Sequence, residues 1–520
     1  MSLFRNFLSV GSLTLVSRIA GFARDALMAA VLGTGPAADA FFAAFRFPNL
    51  FRRLFAEGAF NTAFVPMFSG ALEREGKDGA KLLAARIMSW LVVMLFLVTV
   101  LAEIFMPQIM AAFVPGFVDD PEKFELTVLL TRIMFPYLAC MSLMAAYGAI
   151  LNTLGKFFAA AFAPVLLNLV TIAALVPLAV WFVQTPAEAT IWVATATMTG
   201  GVAQLVLVWV AIERAGFRPA FRMPRLDPEV RRFWMLAVPA ILAGGITQIN
   251  IFVGTIIASG ADNAISVLSY ADRLYQLPLG IIGIAIGTVL LPELSRHLKG
   301  GRAVEARQSQ DQALFVAMLL TMPAAVALVA LAEPIVRVLF ERGAFDALAT
   351  TQTAEALVAF SIGLPAYVLI RILQPGFFAR EDTLTPTIFA GVSVAANIAI
   401  SLILFPTLLH VGIAIATAAS SWLNVVLLAG ALALRGHFRL TWHQWRAQLA
   451  IAAISLTMGG ALWLLASRGT AHLASGVPLW QQAGVLAALI GFGSLIYFTL
   501  IHISGTQNLR LLLGRLRRSR

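Results

Sequence analysis

The sequence predicts an all-α, polytopic membrane protein of about fourteen transmembrane helices, and three observations carry that expectation. Of its 520 residues 60% are hydrophobic and 12% charged, with a mean hydropathy of +0.87, more apolar side chain than one water-soluble core absorbs. Apolar runs of about 20 residues recur along the whole chain, bounded by charge, glycine or proline. Lysine and arginine gather in alternate loops, as they do on the cytoplasmic side of a bilayer.

The first run, near residues 5–32, follows Arg5 and begins like a secretory signal. Arg18 interrupts it, and no small-residue cleavage site leads into a polar domain, so a retained helix is expected. Runs near 37–68, 83–113, 124–152, 157–183 and 188–213 complete a first set of six. A second set lies near 229–259, 263–292, 308–332, 352–379, 384–407 and 410–435, and a last pair near 446–467 and 480–503. One group of loops holds Arg74, Lys77, Lys81 and Arg86; Lys156; Arg214, Arg218, Arg222, Arg225, Arg231 and Arg232; Arg296, Lys299, Arg302 and Arg307; Arg380; and Arg435, Arg439 and Arg446. Arg5 and the basic tail from Arg510 to Arg520 belong with them. The opposite group holds only Lys123, Arg337, Arg342 and Arg468, and includes the acidic loop PGFVDDPEKFE at 115–125. An even number of spans with both termini in the cytoplasm satisfies this asymmetry. The net charge of +11 then reflects topology and attraction to anionic headgroups of membrane lipids, and no separate basic domain speaks for nucleic acid.

An internal repeat organises the spans. AFNTAFVP to Ser69 and AIGTVLLP to Ser295 keep Ala59/Ala285, Thr62/Thr288, Pro66/Pro292 and Ser69/Ser295 in register. Pro136/Pro365 and Asn168/Asn397 pair at nearly the same offset. The offset covers six spans, so the copies share an orientation about a pseudo-twofold axis along the membrane normal. The expected organisation is an N-terminal lobe at 1–220, a C-terminal lobe at 221–440, and two further helices with a basic tail at 441–520. Transporters of this build place their site between the lobes.

Eight arginines fall inside the spans: Arg18, Arg24, Arg46, Arg52, Arg53, Arg132, Arg273 and Arg371. Arginine at mid-helix costs roughly 2.5–3.5 kcal/mol on insertion scales, so such residues face a cavity, a partner or the interface. Arg18 and Asp25 lie two turns apart on one face, while Arg24 points about 100° from Asp25. On an ideal second span Asp39, Arg46, Arg53 and Glu57 share a face, but the kink expected at Pro48 rotates the later half. Phase therefore leaves open whether Arg52 or Arg53 faces the cavity. Arg53 to Glu57 is an i,i+4 pair suited to a structural bridge, which leaves Arg52 as the freer cation. In the eighth span Asp272 and Arg273 are neighbours, and the bland alternative is that both snorkel to water at a helix end. For Arg46, Arg132 and Arg371 an interfacial position competes evenly with a functional one. A cavity bearing Arg18, Arg24, Arg52 and Arg273 suits a multiply charged anion, with diphosphate the first candidate, because arginine's planar fork matches phosphate.

Enzyme chemistry lacks its residues. The six histidines lie in loops or at helix ends with no H-E-x-x-H pattern, so neither a catalytic nor a metal site is expected. Both Gly-Lys pairs, at 76–77 and 155–156, lack the phosphate-loop spacing, and Cys140 stands alone in an apolar run. No cofactor is expected.

SRIAGFARD at 17–25, ADAFFAAFRFPNLFRRLFAEGAFNTAFVP at 38–66, YADRLYQLPLGIIGIAIGTVLLPELS at 270–295 and PGFFAREDTLTP at 375–386 resemble the MurJ (MviN) lipid II flippases. That family belongs to the multidrug/oligosaccharidyl-lipid/polysaccharide exporter superfamily, and the resemblance runs through essentially the whole chain. It implies a flippase of the bacterial inner membrane that moves lipid II, the undecaprenyl-diphosphate-linked muropeptide, to the periplasmic leaflet for peptidoglycan synthesis. It further implies that Arg18, Arg24, Arg52 and Arg273 are the substrate-binding cavity arginines, which decides for Arg52 over Arg53. Asp25, Asp39 and Glu57 are the accompanying acids, with Asp272 beside them as a cavity or gate position. Helices 13 and 14 would form a groove for the polyprenyl tail, and the chain would act as a monomer beside the cell-wall synthesis machinery. Phe378 and Glu381 depart from the Tyr and Gln common in relatives. A drug or cation antiporter of the same superfamily, which wants acidic residues in its cavity, is the nearest rival, together with flippases of other polyprenyl-linked oligosaccharides. A membrane glycosyltransferase is a third, and would need Asp119 or Asp120 as an essential carboxylate.

Overall fold

The computed structural model describes residues 3–53, 60–180, 185–217, 220–469, 473–474 and 476–505. Among these residues all regular structure is helical, in seventeen α-helices with no strand. They are α1 (Leu3–Leu32), α2 (Pro36–Arg52), α3 (Phe60–Ile104), α4 (Met106–Phe113), α5 (Pro121–Met134), α6 (Tyr137–Thr153), α7 (Phe158–Val180), α8 (Pro186–Arg214) and α9 (Pro228–Ala258). There follow α10 (Ala264–Pro278), α11 (Ile284–Lys299), α12 (Ala303–Ala330), α13 (Ala332–Phe340), α14 (Ala347–Phe378), α15 (Leu384–Leu434), α16 (Trp442–Arg468) and α17 (Leu479–Ile503). Nine described stretches are long and apolar enough to cross a membrane.

Each expected span falls on one helix or on parts of two. The third, fourth, eighth and ninth spans are each broken, and a proline lies within three residues of every break: Pro107, Pro136, Pro278 and Pro334. Proline has no N–H and its ring clashes with the preceding turn, so the hydrogen-bond ladder opens there. Between α10 and α11 the backbone forms a π-type turn at Leu279–Gly283. Arg53 is also in a π-type turn, 226 residues earlier, the spacing that separates Ala59 from Ala285. Conversely, α3 carries parts of two spans around Gly76 (φ 70°, ψ −165°), and α15 carries two around Leu409 (φ 46°, ψ −127°).

The chain divides into two compact units, residues 1–266 with 342–345, and residues 267–341 with 346–520. In the first, α1 packs on α7, α7 on α8 and α2 on α5, while α9 packs against α2, α3 and α4. Its core joins Met28 and Leu32 to Phe41, Leu130, Met134, Leu175 and Val193, with Ala38, Ala44 and Ala194 between them. Small residues let helix backbones approach where lipid offers no hydrophobic drive to associate. In the second unit α11, α12, α14 and α15 share Leu294, Leu314, Ile372, Leu373 and Leu428. A further layer binds α16 and α17 to α12 and α13 through Leu319, Val338, Met458, Leu462 and Tyr497, whose hydroxyl donates to the Leu319 carbonyl at 2.7 Å. Buried Thr127, Thr131, Thr197, Ser361 and Ser455 each donate to a carbonyl one turn back, which satisfies a hydroxyl in surroundings without water.

Candidate functional site

Arg24 of α1 is held by its neighbour Asp25 and by α7. Arg24 donates to Asp25 Oδ1 from Nε at 3.1 Å and from Nη2 at 2.7 Å, and from Nη1 to Asn168 Oδ1 at 3.0 Å. Asn168 in turn donates from Nδ2 to the Ser17 carbonyl at 3.0 Å, so one amide fastens α7 to two turns of α1. The expected 100° separation of Arg24 from Asp25 describes their Cβ directions; the guanidinium arm folds back and closes the ion pair regardless. Asp25 therefore compensates Arg24 directly, although it shares a helix face with Arg18. Arg18 is half-buried two turns earlier.

At the other end of α2, half-buried Arg52 donates from Nε to Asn49 Oδ1 at 3.0 Å, and Asn49 is itself tied to the Phe45 carbonyl at 2.8 Å. Arg52 lines a cavity of about 670 Å³ together with Ser69, Asn152, Thr153, Met141 and Met144, where Gly148 and Ala149 of α6 keep the wall low. Arg53 is exposed and does not line that cavity. Its expected partner Glu57 lies outside the described residues, as does the basic tail. Arg46 donates to Thr255 on α9 at 3.3 Å.

Asp39 stands apart from these arginines. It is wholly buried, its Oδ2 3.2 Å from Lys123 Nζ on α5, while its Oδ1 accepts the backbone N–H of Ser266 at 2.8 Å. Ser266 lies in the first turn of α10, so Asp39 caps that helix from a distance and meets the positive end of its dipole. Lys123 also sits 4.1 Å above the Phe117 ring and 3.7 Å from exposed Asp262. Asp120 caps α5 by accepting the Lys123 N–H at 3.1 Å. Beside this cluster the end of α1 meets residues 342–345: Ala344 donates to the Ala30 carbonyl at 2.8 Å. A Cβ on Gly33 would stand 2.2 Å from the Ala344 carbonyl oxygen, and one on Gly343 2.2 Å from that of Ala30. Both glycines have positive φ, so the contact demands glycine on both strands of chain. The sequence reading counts Lys123 among the loop charges and not as a site residue, although it is the single lysine on its side of the predicted topology.

In the second unit Asp272 accepts from Gln276 one turn along α10, and Arg273 is exposed beside it. The Tyr275 ring lies 5.3 Å from Tyr367 and 5.0 Å from Phe360. Arg371 of α14 is packed at the π-type turn, where a Cβ on Gly283 would come within 3.0 Å of its Cδ. Arg132 is exposed on α5. Between α14 and α15, Asp382 is pulled down to about 2, first by the hydrogen bond from Arg435 at 2.6 Å and then by the N–H and hydroxyl of Thr385. Nearby His437 is shifted down by burial, Arg380 and Arg435.

Known proteins resemble this chain in sequence and in fold. The family model described as lipid II flippase MurJ matches residues 28–482. A probable lipid II flippase MurJ of Rhizobium tropici is 48% identical over 521 residues, covering 100% of this chain and 98% of that protein. The lipid II flippase MurJ of Burkholderia cenocepacia is 35% identical over 516 residues, covering 97% and 98%. A solved lipid II flippase MurJ in an inward closed conformation superposes with a TM-score of 0.79 at 26% identity, covering 95% of this chain and 98% of that one. An inward-facing multidrug resistance MATE family transporter of the MOP superfamily has a TM-score of 0.67 at 16% identity, covering 83% and 98%, and shares the fold alone. The family match over most of the chain, with near-complete coverage of a relative 48% identical, shows that this chain belongs to the lipid II flippase MurJ family.

Proposed function

We propose that this chain is a transporter that moves lipid II from the cytoplasmic to the periplasmic leaflet of the bacterial inner membrane by alternating access. The observation that best supports it, beside family membership, is Arg52 on the wall of a cavity of about 670 Å³, where Ser69, Asn152 and Thr153 add neutral polar groups. A guanidinium on such a wall suits a diphosphate better than an organic cation. In this reading Arg18, Arg24, Arg52 and Arg273 bind the diphosphate and sugars, with Asp25, Glu57 and Asp272 tempering their charge. Asp39, paired with Lys123, keeps the periplasmic side shut while substrate enters from the cytoplasm. Lobes 1–220 and 221–440 exchange access around the substrate; the common spacing of the two π-type turns supports their being repeats. Residues 441–520 carry the polyprenyl tail along a groove, both termini lie in the cytoplasm, and a monomer works beside the cell-wall synthesis machinery.

The test is depletion in the host with complementation by Arg18→Ala, Arg24→Ala, Arg52→Ala or Arg273→Ala. Each variant is expected to insert normally yet leave labelled lipid II inaccessible to a periplasmic probe. Wild-type lipid II exposure in all four would sink the proposal.

A further inference from the structure

The described residues between α8 and α9 form no regular element from 220 to 227, yet are firmly fastened. Phe217 is buried and stacks edge-on against Phe68 at 5.4 Å. The Arg222 N–H donates to Ser89 Oγ at 2.9 Å, and Trp90 Nε1 donates to the Arg225 carbonyl at 3.0 Å. Arg86 then bridges to Asp227 at 3.1 Å and to Glu229 at 2.9 Å. These ties strap residues 220–229 along α3, next to the apolar run that begins near Leu82.

Two consequences follow for the outer face of the strap. Its two carboxylates are turned to Arg86, and Asp227 also caps α9 through the Val230 N–H. Arg222, Arg225, Arg231 and Arg232 are exposed, and with Arg86 they set five cations against those two carboxylates. Among them stand Phe221, Met223 and Leu226, exposed by 63%, 81% and 72%, followed on α9 by exposed Met235 and Leu236. Large apolar side chains interleaved with arginines suit neither water nor hydrocarbon. They suit the boundary between them, where apolar groups enter the acyl region, guanidinium forks hold phosphates, and a tryptophan such as Trp90 marks the same level.

We propose that the α8–α9 strap is a binding rail for the headgroups of anionic phospholipids. The rail serves the lipid around the protein, so it stands whether or not the transported substrate is lipid II.

The test titrates phosphatidylglycerol or phosphatidylcholine into the detergent-solubilised full chain and counts retained lipid by native mass spectrometry. Phosphatidylglycerol is expected to bind more tightly, with Arg222→Gln and Arg231→Gln each weakening it roughly fivefold. The quadruple Gln variant at 222, 225, 231 and 232 is expected to lose the preference for phosphatidylglycerol, while Arg439→Gln with Arg446→Gln keeps it. The single exposed substitutions keep the test valid should the quadruple variant fail to fold. Equal binding of the two lipids, or single variants that match the wild type, would overturn the proposal.

Discussion

Arg24 shows how one guanidinium is kept inside a membrane protein: two of its nitrogens are spent on Asp25 and a third on Asn168. The amide of Asn168 is the part of this arrangement with no charge of its own, which makes it the informative position. Asn168→Leu leaves the Asp25 pair intact, frees the Ser17 carbonyl and removes the bond to α7. A loss of about 1–2 kcal/mol is expected, seen as a lower melting midpoint in detergent. Asn168→Asp adds a second carboxylate, and should weaken capture of a diphosphate lipid more than it lowers the midpoint; unchanged capture would argue against Arg24 as a substrate cation. Asp382 offers a pH readout. Its carboxyl lies below the ordinary 3.8, at about 2, so its contribution is complete above 3.8 and is lost as pH falls through that interval. The group is largely solvated, so the effect is local. Protection of the amides of residues 380–385, taken relative to intrinsic exchange at each pH, is expected to fall on acidification from pH 4 to pH 2. In Asp382→Asn that protection should be low already at neutral pH and flat across the interval.

The Asp39–Lys123 pair belongs to the scale of elements, because it joins α2, α5 and the first turn of α10 at one buried point. Such a pair is poor evidence of net stabilisation, since two desolvated charges offset most of their attraction, but breaking one side strands the other. Lys123→Met is therefore expected to cost about 3–5 kcal/mol, while adding Asp39→Asn recovers much of it, because asparagine still accepts the Ser266 N–H. If the pair acts as a latch, the double variant melts near the wild type yet fails to hold the periplasmic side shut. That side would then admit a thiol reagent to a cysteine placed at Arg46, which the wild-type pair keeps closed. Equal labelling in both backgrounds would reduce the pair to packing. The contact between Gly33 and residues 342–345 holds the end of α1 through backbone alone.

At the scale of the molecule, the helical spans were legible because each is a run of apolar residues and every run must satisfy its own backbone in lipid. Pro107, Pro136, Pro278 and Pro334 were equally visible, and they account for the broken spans. The site was less legible. Periodicity fixes where a Cβ points and not where a long side chain ends: the 100° between Arg24 and Asp25 leaves Asp25 to neutralise Arg18 or Arg24 only in part, and in the fold it is bonded to Arg24. Asp39 and Lys123 lie 84 positions apart, and nothing local in either segment announces the other. Asn168 stood out as one half of a repeat pair, while its bond to Arg24 needed the packing of α1 on α7 to exist. For the whole chain, the lysines and arginines of alternate loops set an expected direction of insertion. Exposed Glu75, beside the Gly76 break, and exposed Asp119, before α5, lie on opposite sides in that topology. In a Cys140→Ser background, a membrane-impermeant maleimide added to intact spheroplasts should label Asp119→Cys and reach Glu75→Cys only after permeabilisation. The reverse pattern would invert every span, place the arginine-rich loops outside, and turn the proposed entry of lipid II to the wrong leaflet.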